Sequence, residues 1–421
     1  MFTLFSIKKL IINIVLCSTT FLFIFCLIET TLHIFKYPKY AYENVQQERV
    51  KLIQTILNLK KNGLKAYPRL SPEFIRSQSQ KEDELFLSNI GNVFIIGNEE
   101  DDGRLITKTD KYGFRNPVDI YDKHSNFDIF LLGESHTAGD EVPDGYTPSD
   151  LLRKKINYLV YNAGMGGSGL LHQMAIFLKY GLPKKPKNVV LTIVEGLTLN
   201  RGYKELSDNH LVHWINNFKP DYSNIDLSID SNKKDHLLKD ATLELSSNYE
   251  LSLLTHTNND PPHLRLPSHW PYLHNSFRIF RFLNLYFAKS SEFEGYPACL
   301  KIQEGKKLIS GIFHNIKTMV STYDGHFTVV YLPSSRWLYP KNQWPECERE
   351  MISSTSKEMD IMYLDLVEKF SNLNNPKDLY AHVHFFIHLN NSYGHLNRAG
   401  YDFATNQLIS FLSSNPNSKK Q

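Results

Sequence analysis

The stretch Phe127-Asp-Ile-Phe-Leu-Leu-Gly-Glu-Ser-His-Thr-Ala-Gly-Asp140 decides the fold. It opens with a short apolar run that ends at Gly133, and such a run is typical of a buried parallel strand rather than a helix. Ser135 therefore lies just past the carboxyl end of a predicted strand, where catalytic groups collect in open α/β sheets. The alternative is that the Ser135 hydroxyl caps the next helix, and this stretch alone does not exclude it.

Strands and helices alternate along the chain from this point. The apolar runs predict five strands, at Phe127–Leu132, Tyr158–Tyr161, Asn188–Val194, Phe327–Leu332 and Ile361–Leu364. Periodicity and capping residues predict helices at Thr147–Lys155, Leu170–Tyr180, Ser276–Lys289, Leu300–Thr322, Leu366–Phe370 and Asn397–Leu412. This alternation predicts an α/β fold with a doubly wound parallel sheet.

The segment before the strands divides into an apolar N-terminus and a polar extension. Leu10 to Ile28 carries no charged residue, and about 20 apolar residues cross a bilayer. Lys8 and Lys9 precede it, which predicts a single-pass anchor with the N-terminus in the cytoplasm. The alternative is a cleaved signal peptide, but the stretch is longer than such a peptide needs and lacks an Ala-x-Ala site.

These boundaries give the predicted domain organisation. Residues 1–9 form a cytoplasmic tail, 10–30 the transmembrane anchor, 31–110 a juxtamembrane extension and 111–415 the α/β domain. The extension is predicted to hold a helix near Gln47–Leu59 and a strand near Asn92–Ile96. The α/β domain carries an insertion over about 200–275 that is rich in Asn, Asp, Ser, His and Pro.

Composition and cysteine spacing exclude several classes of partner. The formal net charge of the 421 residues is only +3, which argues against nucleic acid. Cys17 and Cys26 lie in the predicted anchor, whereas Cys299 and Cys347 are either a disulfide or two free thiols. No Cys/His spacing indicates zinc, and the histidines at 382, 384 and 388 lack further ligands, so we expect no metal and no cofactor.

Four local motifs follow successive predicted strands, or precede the last helix. They are Gly133-Glu-Ser135, the glycine loop Asn162-Ala-Gly-Met-Gly-Gly167, Glu195-Gly196, and Gly394-His-Leu-Asn-x-x-Gly400. Together with Gly113-Phe-Arg-Asn116 they resemble the SGNH hydrolases, or GDSL esterases, and most closely their membrane-anchored bacterial branch. The resemblance covers roughly Tyr112 to Leu412 and implies a three-layer αβα sheet of the flavodoxin-like kind. A phosphate-binding loop and an α/β-hydrolase elbow do not fit these glycines.

The resemblance also implies roles for particular residues. Ser135 matches the nucleophile and His395 the base. The oxyanion hole matches the backbone N–H groups of Ser135 and Gly167. A glycine suits that position because the backbone must approach the substrate closely.

The sequence departs from the family pattern at three positions. Glu134 stands in place of an Asp, and Leu197 stands where an asparagine would donate to the oxyanion. Ser392 and Tyr393 stand where an Asp would orient His395. Thr198, Asn200 and Ser392 are therefore the candidate substitutes for the missing groups.

The resemblance implies a membrane-anchored serine esterase or O-acyltransferase. It would act on an acylated carbohydrate or a lipid outside the cytoplasmic membrane of a bacterium, with a Ser135 acyl-enzyme and His395 as base. The alternative is a catalytically degenerate member of the same fold that binds a glycan or an envelope-assembly protein. The intact Ser135 and His395 favour the enzyme, whereas Leu197 and the missing Asp favour the binding protein.

Overall fold

The computed structural model of the chain describes residues 2–34, 41–81, 84–100, 103–218, 227–247, 302–335, 346–382 and 393–414. Contacts divide the chain into two units. The larger comprises Glu48–Thr257, Tyr296–His384 and Asn391–Gln421, and it holds every strand described below. The smaller comprises Met1–Gln47, Asn258–Gly295 and Phe385–Asn390, of which only residues 2–34 and 41–47 are described.

A five-stranded parallel sheet organises the larger unit. Its strands are β4 (Ile129–Leu132), β5 (Val160–Asn162), β6 (Asn188–Val194), β7 (His326–Leu332) and β8 (Met362–Asp365). They pair in the order β5-β4-β6-β7-β8, all parallel. This is the flavodoxin-like strand order, whose direction of winding reverses at β4 and β6. Ligands of such sheets bind at the carboxyl ends of the strands near that reversal, which is where β4 delivers Ser135.

Alternate side chains of each strand enter two separate apolar clusters, because side chains along a strand point to opposite faces. Phe130 and Leu132 of β4 belong to one cluster, and Ile129 and Leu131 belong to the other. Both faces are buried, so the strands read as continuous apolar runs. The sheet is thus the middle of three layers, as the resemblance implied.

Helices cover the two faces. On the face of Ile129 lie α6 (Pro148–Ile156), α13 (Val367–Ser371) and α14 (Arg398–Ser414). On the face of Phe130 lie α7 (Leu170–Ile176), α8 (Thr198–Glu205), α9 (Asn209–Asn216), α10 (Leu227–Ser247), α11 (Ile302–Ser321) and α12 (Cys347–Glu358). The remaining helices are α1 (Phe2–Ile34), α2 (Ala41–Lys61), α3 (Pro72–Ser77), α4 (Ile120–Lys123) and α5 (Ser135–Ala138). A π-helical turn, Phe177–Gly181, continues α7, and 3₁₀ turns lie at Leu182–Lys184 and Pro376–Leu379.

The extension forms a sheet of its own and shares the core of the larger unit. Strand β1 (Ala66–Pro68) pairs parallel with β2 (Phe94–Glu100), which pairs antiparallel with β3 (Gly103–Lys108). Its buried residues Leu70, Ile75 and Phe86 belong to the same apolar cluster as the Phe130 face of the main sheet. From Glu48 onward the extension is therefore part of one compact unit rather than a separate spacer.

A short antiparallel hairpin carries the C-terminal motif. Strand β9 (Tyr380–His382) pairs with β10 (Tyr393–Leu396), and α14 follows directly. His395 is thus on a strand immediately before the last helix.

The N-terminal helix and the cysteines bear on the predicted anchor and the predicted disulfide. The residues of the predicted anchor lie within α1, and none of the helices in the described part of the chain is long and apolar enough to span a bilayer. Cys347 is disulfide-bonded, whereas Cys17 and Cys26 are free thiols. Cys299 and the predicted helix Ser276–Lys289 lie outside the described residues.

Candidate active site

The turn after β4 presents Ser135 as the first residue of α5. Gly133 adopts φ +154°, and a Cβ atom there would lie 2.0 Å from Thr137 Oγ1, so only glycine fits this turn. The Ser135 N–H has no acceptor among the described residues, as expected for the first residue of a helix. Ser135 therefore lies just past the carboxyl end of β4 as the first residue of α5, and its hydroxyl does not cap the helix.

His395 meets Ser135 although 260 positions separate them in the chain. Its Nε2 lies 2.6 Å from Ser135 Oγ. Ser135 is buried, and the His395 side chain is 26% exposed. The hairpin of β9 and β10 thus brings the imidazole to the hydroxyl at hydrogen-bond distance, the arrangement that a serine nucleophile and its base require.

Glu141 supplies the carboxylate that the sequence lacks beside His395. Its Oε1 contacts His395 Nδ1, and its Oε2 accepts a hydrogen bond of 3.0 Å from the His395 backbone N–H. Because a carboxylate only accepts, Nδ1 of the neutral imidazole carries the proton and Nε2 is free to accept the proton of Ser135. Ser135, His395 and Glu141 therefore form a hydroxyl–imidazole–carboxylate series.

The surroundings of His395 shift its pKa in opposing directions. Burial lowers the pKa of the imidazole, whereas the charge and hydrogen bond of Glu141 raise it, with a smaller contribution from Asp140. The positive charge of Arg69 lowers it again. The net pKa lies above the usual 6.5, which strengthens Nε2 as a base for the serine proton.

Arg115 holds the loop that carries Glu141. Its guanidinium donates to the carbonyl oxygens of Gly139 (2.5 Å) and Val142 (2.8 Å), and to Asp144 Oδ1 (2.7 Å). Glu141 itself has φ +75°, a left-handed conformation that is uncommon outside glycine and that is found at active sites. The arginine of the motif Gly113–Asn116 thus fixes the loop in the shape that points Glu141 at His395.

The glycine loop after β5 runs beside the serine. A Cβ atom on Gly166 would lie 3.7 Å from Ser135 Cβ, whereas one on Gly167 would lie 3.3 Å from Cδ of Pro72. Gly167 has φ +84°, so its left-handed backbone requires glycine. In the described part of the chain, the N–H groups of Gly166 and Gly167 have no hydrogen-bond acceptor.

The third family position offers no donor to an oxyanion. Leu197 packs against the apolar cluster of the Ile129 face. Thr198 is fully buried, and its Oγ1 accepts the N–H of Val194 at 2.9 Å, while Asn200 Nδ2 donates to Gly196 O at 2.9 Å. Both candidate substitutes thus bond to the turn after β6, and neither contacts Ser135 or His395 in the described part of the chain. Ser392, the third candidate, lies outside the described residues.

Glu134 and His136 flank the serine on its buried side. Glu134 is fully buried and forms an ion pair with Arg201 of α8, and its Oε1 lies 3.4 Å from His136 Nδ1. The rings of His136 and His395 lie 4.6 Å apart between centroids. Burial, followed by the charge of His395, holds the pKa of His136 well below its usual value, so His136 is neutral beside the base.

Arg69, a residue of the extension, lies beside Asp140 and the glycine loop. Its Nη1 lies 2.5 Å from Asp140 Oδ2, and Nη1 would also lie 3.7 Å from a Cβ atom on Gly166. Sequence reasoning missed both Arg69 and Glu141. The adjacent acids Asp140 and Glu141, so soon after Ser135, were an available signal for the carboxylate, whereas nothing local marks Arg69. No group of three or more metal-ligating side chains occurs within the described ranges.

Comparison with known proteins gives weak structural similarity. No protein-family model and no curated protein matches the chain. Solved structures that resemble it include the acetyl xylan esterase AlAXEase, at 13% identity over 67% of this chain and 98% of that one, with a TM-score of 0.35. A catalytic mutant of the acetylxylan esterase Axe2 from Geobacillus stearothermophilus matches at 10% identity over 71% and 99%, with a TM-score of 0.33. A two-domain esterase active on acetylated mannans matches at 11% over 72% and 53%, with a TM-score of 0.34.

Proposed function

We propose that the protein is an SGNH-type serine esterase or O-acyltransferase with Ser135 as nucleophile and His395 as base. The observation that carries the proposal is the bond of 2.6 Å between Ser135 Oγ and His395 Nε2, with Glu141 against the opposite ring nitrogen. The orienting carboxylate that the sequence pattern lacks is thereby present in space. We assign to Glu141 the orienting role for which Ser392 is the candidate from the sequence.

The geometry supports acyl transfer in two steps. His395 Nε2 accepts the proton of Ser135 as Oγ attacks the ester carbonyl, and Glu141 stabilises the imidazolium through Nδ1. His395 then donates that proton to the departing alcohol, which leaves an acyl group on Ser135. Water or an acceptor hydroxyl, deprotonated by His395, next attacks the acyl carbonyl and releases Ser135.

Backbone N–H groups support the negative charge of the tetrahedral intermediate. Those of Ser135 and Gly167 are without acceptors in the described part of the chain, and Ser135 begins a helix, where N–H groups point outward. Each such donor contributes about 10²–10³ in rate in a well-studied protease. We assign the oxyanion hole to these two groups, as the motif resemblance implies.

The proposal extends to the substrate class. The resemblance of the motifs favours an O-acetylated polysaccharide over a lipid.

The proposal also includes a location at the membrane. Anchoring through Leu10 to Ile28 is consistent with exposed apolar side chains along α1, among them Phe21 and Phe23. The disulfide at Cys347 supports an oxidising compartment outside the cytoplasm. Retention of the full chain in carbonate-washed membranes, but not of a chain lacking residues 1–40, would test the anchor.

One pair of assays tests the chemistry. The purified full chain is treated with a fluorescent fluorophosphonate and, separately, with a chromogenic acetyl ester. We expect labelling and turnover, both abolished in Ser135→Ala and in His395→Ala. A Ser135→Ala protein that labels and turns over like the natural chain would refute the assignment of the nucleophile.

The second candidate is a non-catalytic glycan-binding or envelope-assembly protein. Leu197 favours it, because an apolar side chain packed into a cluster cannot donate to an oxyanion. A folded chain that is inert toward both reagents, yet retained on an acetylated polysaccharide column, would support this candidate over the enzyme.

A further inference from the structure

We propose that Arg69, a residue of the extension, is the third oxyanion-stabilising group of the active site. The inference rests on the proposed function, because it assigns a role within the same acyl transfer. Its basis is the position of the Arg69 guanidinium beside Asp140 and the glycine loop, at a site where Leu197 stands in place of the side-chain donor of the family pattern.

The turn after β6 lacks the side-chain donor of the family pattern. Leu197 is apolar and packed, while Thr198 Oγ1 accepts the Val194 N–H and Asn200 Nδ2 donates to Gly196 O within the turn. A side-chain donor to the developing charge would therefore have to come from another element.

Arg69 borders the space in which that charge develops. A methyl group on Gly166 would lie 3.7 Å from Ser135 Cβ, 3.7 Å from Arg69 Nη1 and 3.1 Å from Asp140 Oδ2. Ser135, the Arg69–Asp140 ion pair and the glycine loop therefore border one small space, which the absence of a side chain on Gly166 leaves open.

The position of the guanidinium is fixed on two sides. Asp140 Oδ2 accepts from Nη1 at 2.5 Å, and the Asp140 backbone N–H in turn donates to Ser135 O at 3.0 Å. On the other side, a Cβ atom on Gly97 would lie 2.9 Å from Nη2, so the glycine of β2 makes room for Arg69. The guanidinium is thereby tied to the backbone of the nucleophile itself.

The chemistry of the group suits the role. A guanidinium stays charged at any working pH and presents five N–H donors, of which the pair with Asp140 engages Nη1. The Arg69 side chain is 26% exposed, so a bound substrate would displace water from it. Donors aimed at a developing charge in such a site act mainly on the transition state, and we expect Arg69 to affect kcat more than KM.

The first test compares Arg69→Gln, Arg69→Lys and Lys65→Gln with the natural chain on a chromogenic acetyl ester. Lys65 is an exposed residue of the same extension, directly before β1, and it offers the same change of charge. We expect Arg69→Gln to lower kcat about 10²–10³-fold with KM little changed. Arg69→Lys should retain part of the rate, and Lys65→Gln all of it.

A chemical-rescue measurement separates this role from a structural one. In Arg69→Ala, added guanidinium chloride at millimolar concentration should restore part of kcat, because the free ion can occupy the vacated space. The control Ser135→Ala should not respond. Rate loss without rescue, accompanied by a lowered Tm, would overturn the proposal in favour of a packing role.

Gly166→Ala provides a variant that keeps every charge. Its φ lies outside the left-handed region and its new contacts are 3.1 Å or longer, so we expect the fold to survive. The methyl group fills the proposed oxyanion space, so turnover and fluorophosphonate labelling should fall at least tenfold. Full activity in Gly166→Ala or Arg69→Gln, with Ser135 still labelled, would refute this inference and leave the proposed function standing. A natural chain that is neither labelled nor active would refute both.

Discussion

The carboxylate of Glu141 decides how strong a base His395 can be. It contacts Nδ1 and also accepts the backbone N–H of the same residue, so it fixes both the ring and the strand that bears it. A carboxylate in this place holds the imidazole in one tautomer and stabilises its protonated form. Glu141 acts through His395 and is therefore a positioning residue.

Replacing Glu141 by Gln should lower kcat/KM about 10²–10⁴-fold, by analogy with the loss of the orienting carboxylate in serine proteases. The pKa of His395 should fall, because Glu141 is the strongest group that raises it. Activity depends on a neutral imidazole, so the acidic limb of the pH–rate profile should move to lower pH. The profile of kcat/KM against pH measures both effects.

Glu141→Asp is the matched control for charge. It keeps the carboxylate but shortens the side chain, so we expect an intermediate rate and a pKa between the two. An unchanged profile in Glu141→Gln would show that Glu141 does not orient the base.

At the residue scale, the sequence predicted that Ser135 and His395 belong to one site, but it did not predict Glu141 or Arg69 there. Ser135 and His395 stand in recognisable motifs, and the structure brings them together. Glu141 was not predicted because its contact with His395 depends on a left-handed backbone at position 141, which the five residues between Ser135 and Glu141 do not reveal. Arg69 was missed because its position depends on the packing of a remote strand.

The loop Gly139–Asp144 is the element on which the site depends. Arg115 donates to two of its carbonyl oxygens and to the Asp144 carboxylate. These hydrogen bonds from Arg115 offset the conformational free energy that the left-handed backbone of Glu141 costs.

Arg115→Gln should therefore weaken both fold and site. We expect the free energy of unfolding to fall by about 1–3 kcal/mol, because two buried carbonyl oxygens lose a charged donor. The value of kcat should fall at least tenfold as Glu141 leaves His395. Urea unfolding and ester turnover of the same preparation measure the two effects.

Asp144→Asn is the control for that change. The Asp144 side chain is 66% exposed, so loss of its ion pair alone should cost less than about 1 kcal/mol and leave kcat unchanged. Equal effects of the two substitutions would contradict a clamp acting through the carbonyl oxygens.

At the element scale, sequence predicted the main sheet well. All five strands occur within two residues of their predicted starts and within one residue of their ends, because buried parallel strands are unbroken apolar runs. Thr147 caps α6 as predicted, accepting the N–H of Asp150 at 3.1 Å. Strand β1 was missed, since three residues that pair with a distant strand leave no periodic signal. The π-helical end of α7 was also missed.

From Glu48 onward, the extension and the α/β sheet share one core within the larger unit. Arg76 of α3 joins them: its Nη1 donates to His172 Nδ1 at 2.7 Å, and its Nε donates to Asp208 at 2.7 Å. Arg76 is 3% exposed and lies 4.0 Å from the buried Glu205, which accepts the Gly169 N–H at the start of α7. The Arg76 guanidinium thus contacts residues of α7 and α8 and the residue that caps α9.

Arg76→Met should destabilise the whole unit by about 3–5 kcal/mol, because it leaves buried partners without their cation. The control Lys65→Met removes an exposed charge from the same extension and should change stability by less than about 0.5 kcal/mol. Denaturant unfolding followed by fluorescence measures both. A loss below 1 kcal/mol for Arg76→Met would mean that the extension is not integral to the fold.

At the scale of the whole molecule, the sequence boundary drawn near residue 110 reflected where recognisable motifs begin. It did not reflect where the core begins, because contacts between positions such as 76 and 172 carry no signature in a single sequence. The predicted anchor and localisation stay predictions.

Ser135, the proposed nucleophile, and Glu141, which contacts the proposed base, lie six positions apart in a segment whose loop accepts hydrogen bonds from Arg115. Both residues therefore belong to one continuous segment, residues 133–144, whereas the imidazole of His395 comes from the hairpin of β9 and β10. An engineer who wished to install this chemistry in another sheet of the same winding would have two pieces to align instead of three. A shift of the hairpin of β9 and β10 would move His395 alone. Ser135 and Glu141 would keep their relative positions.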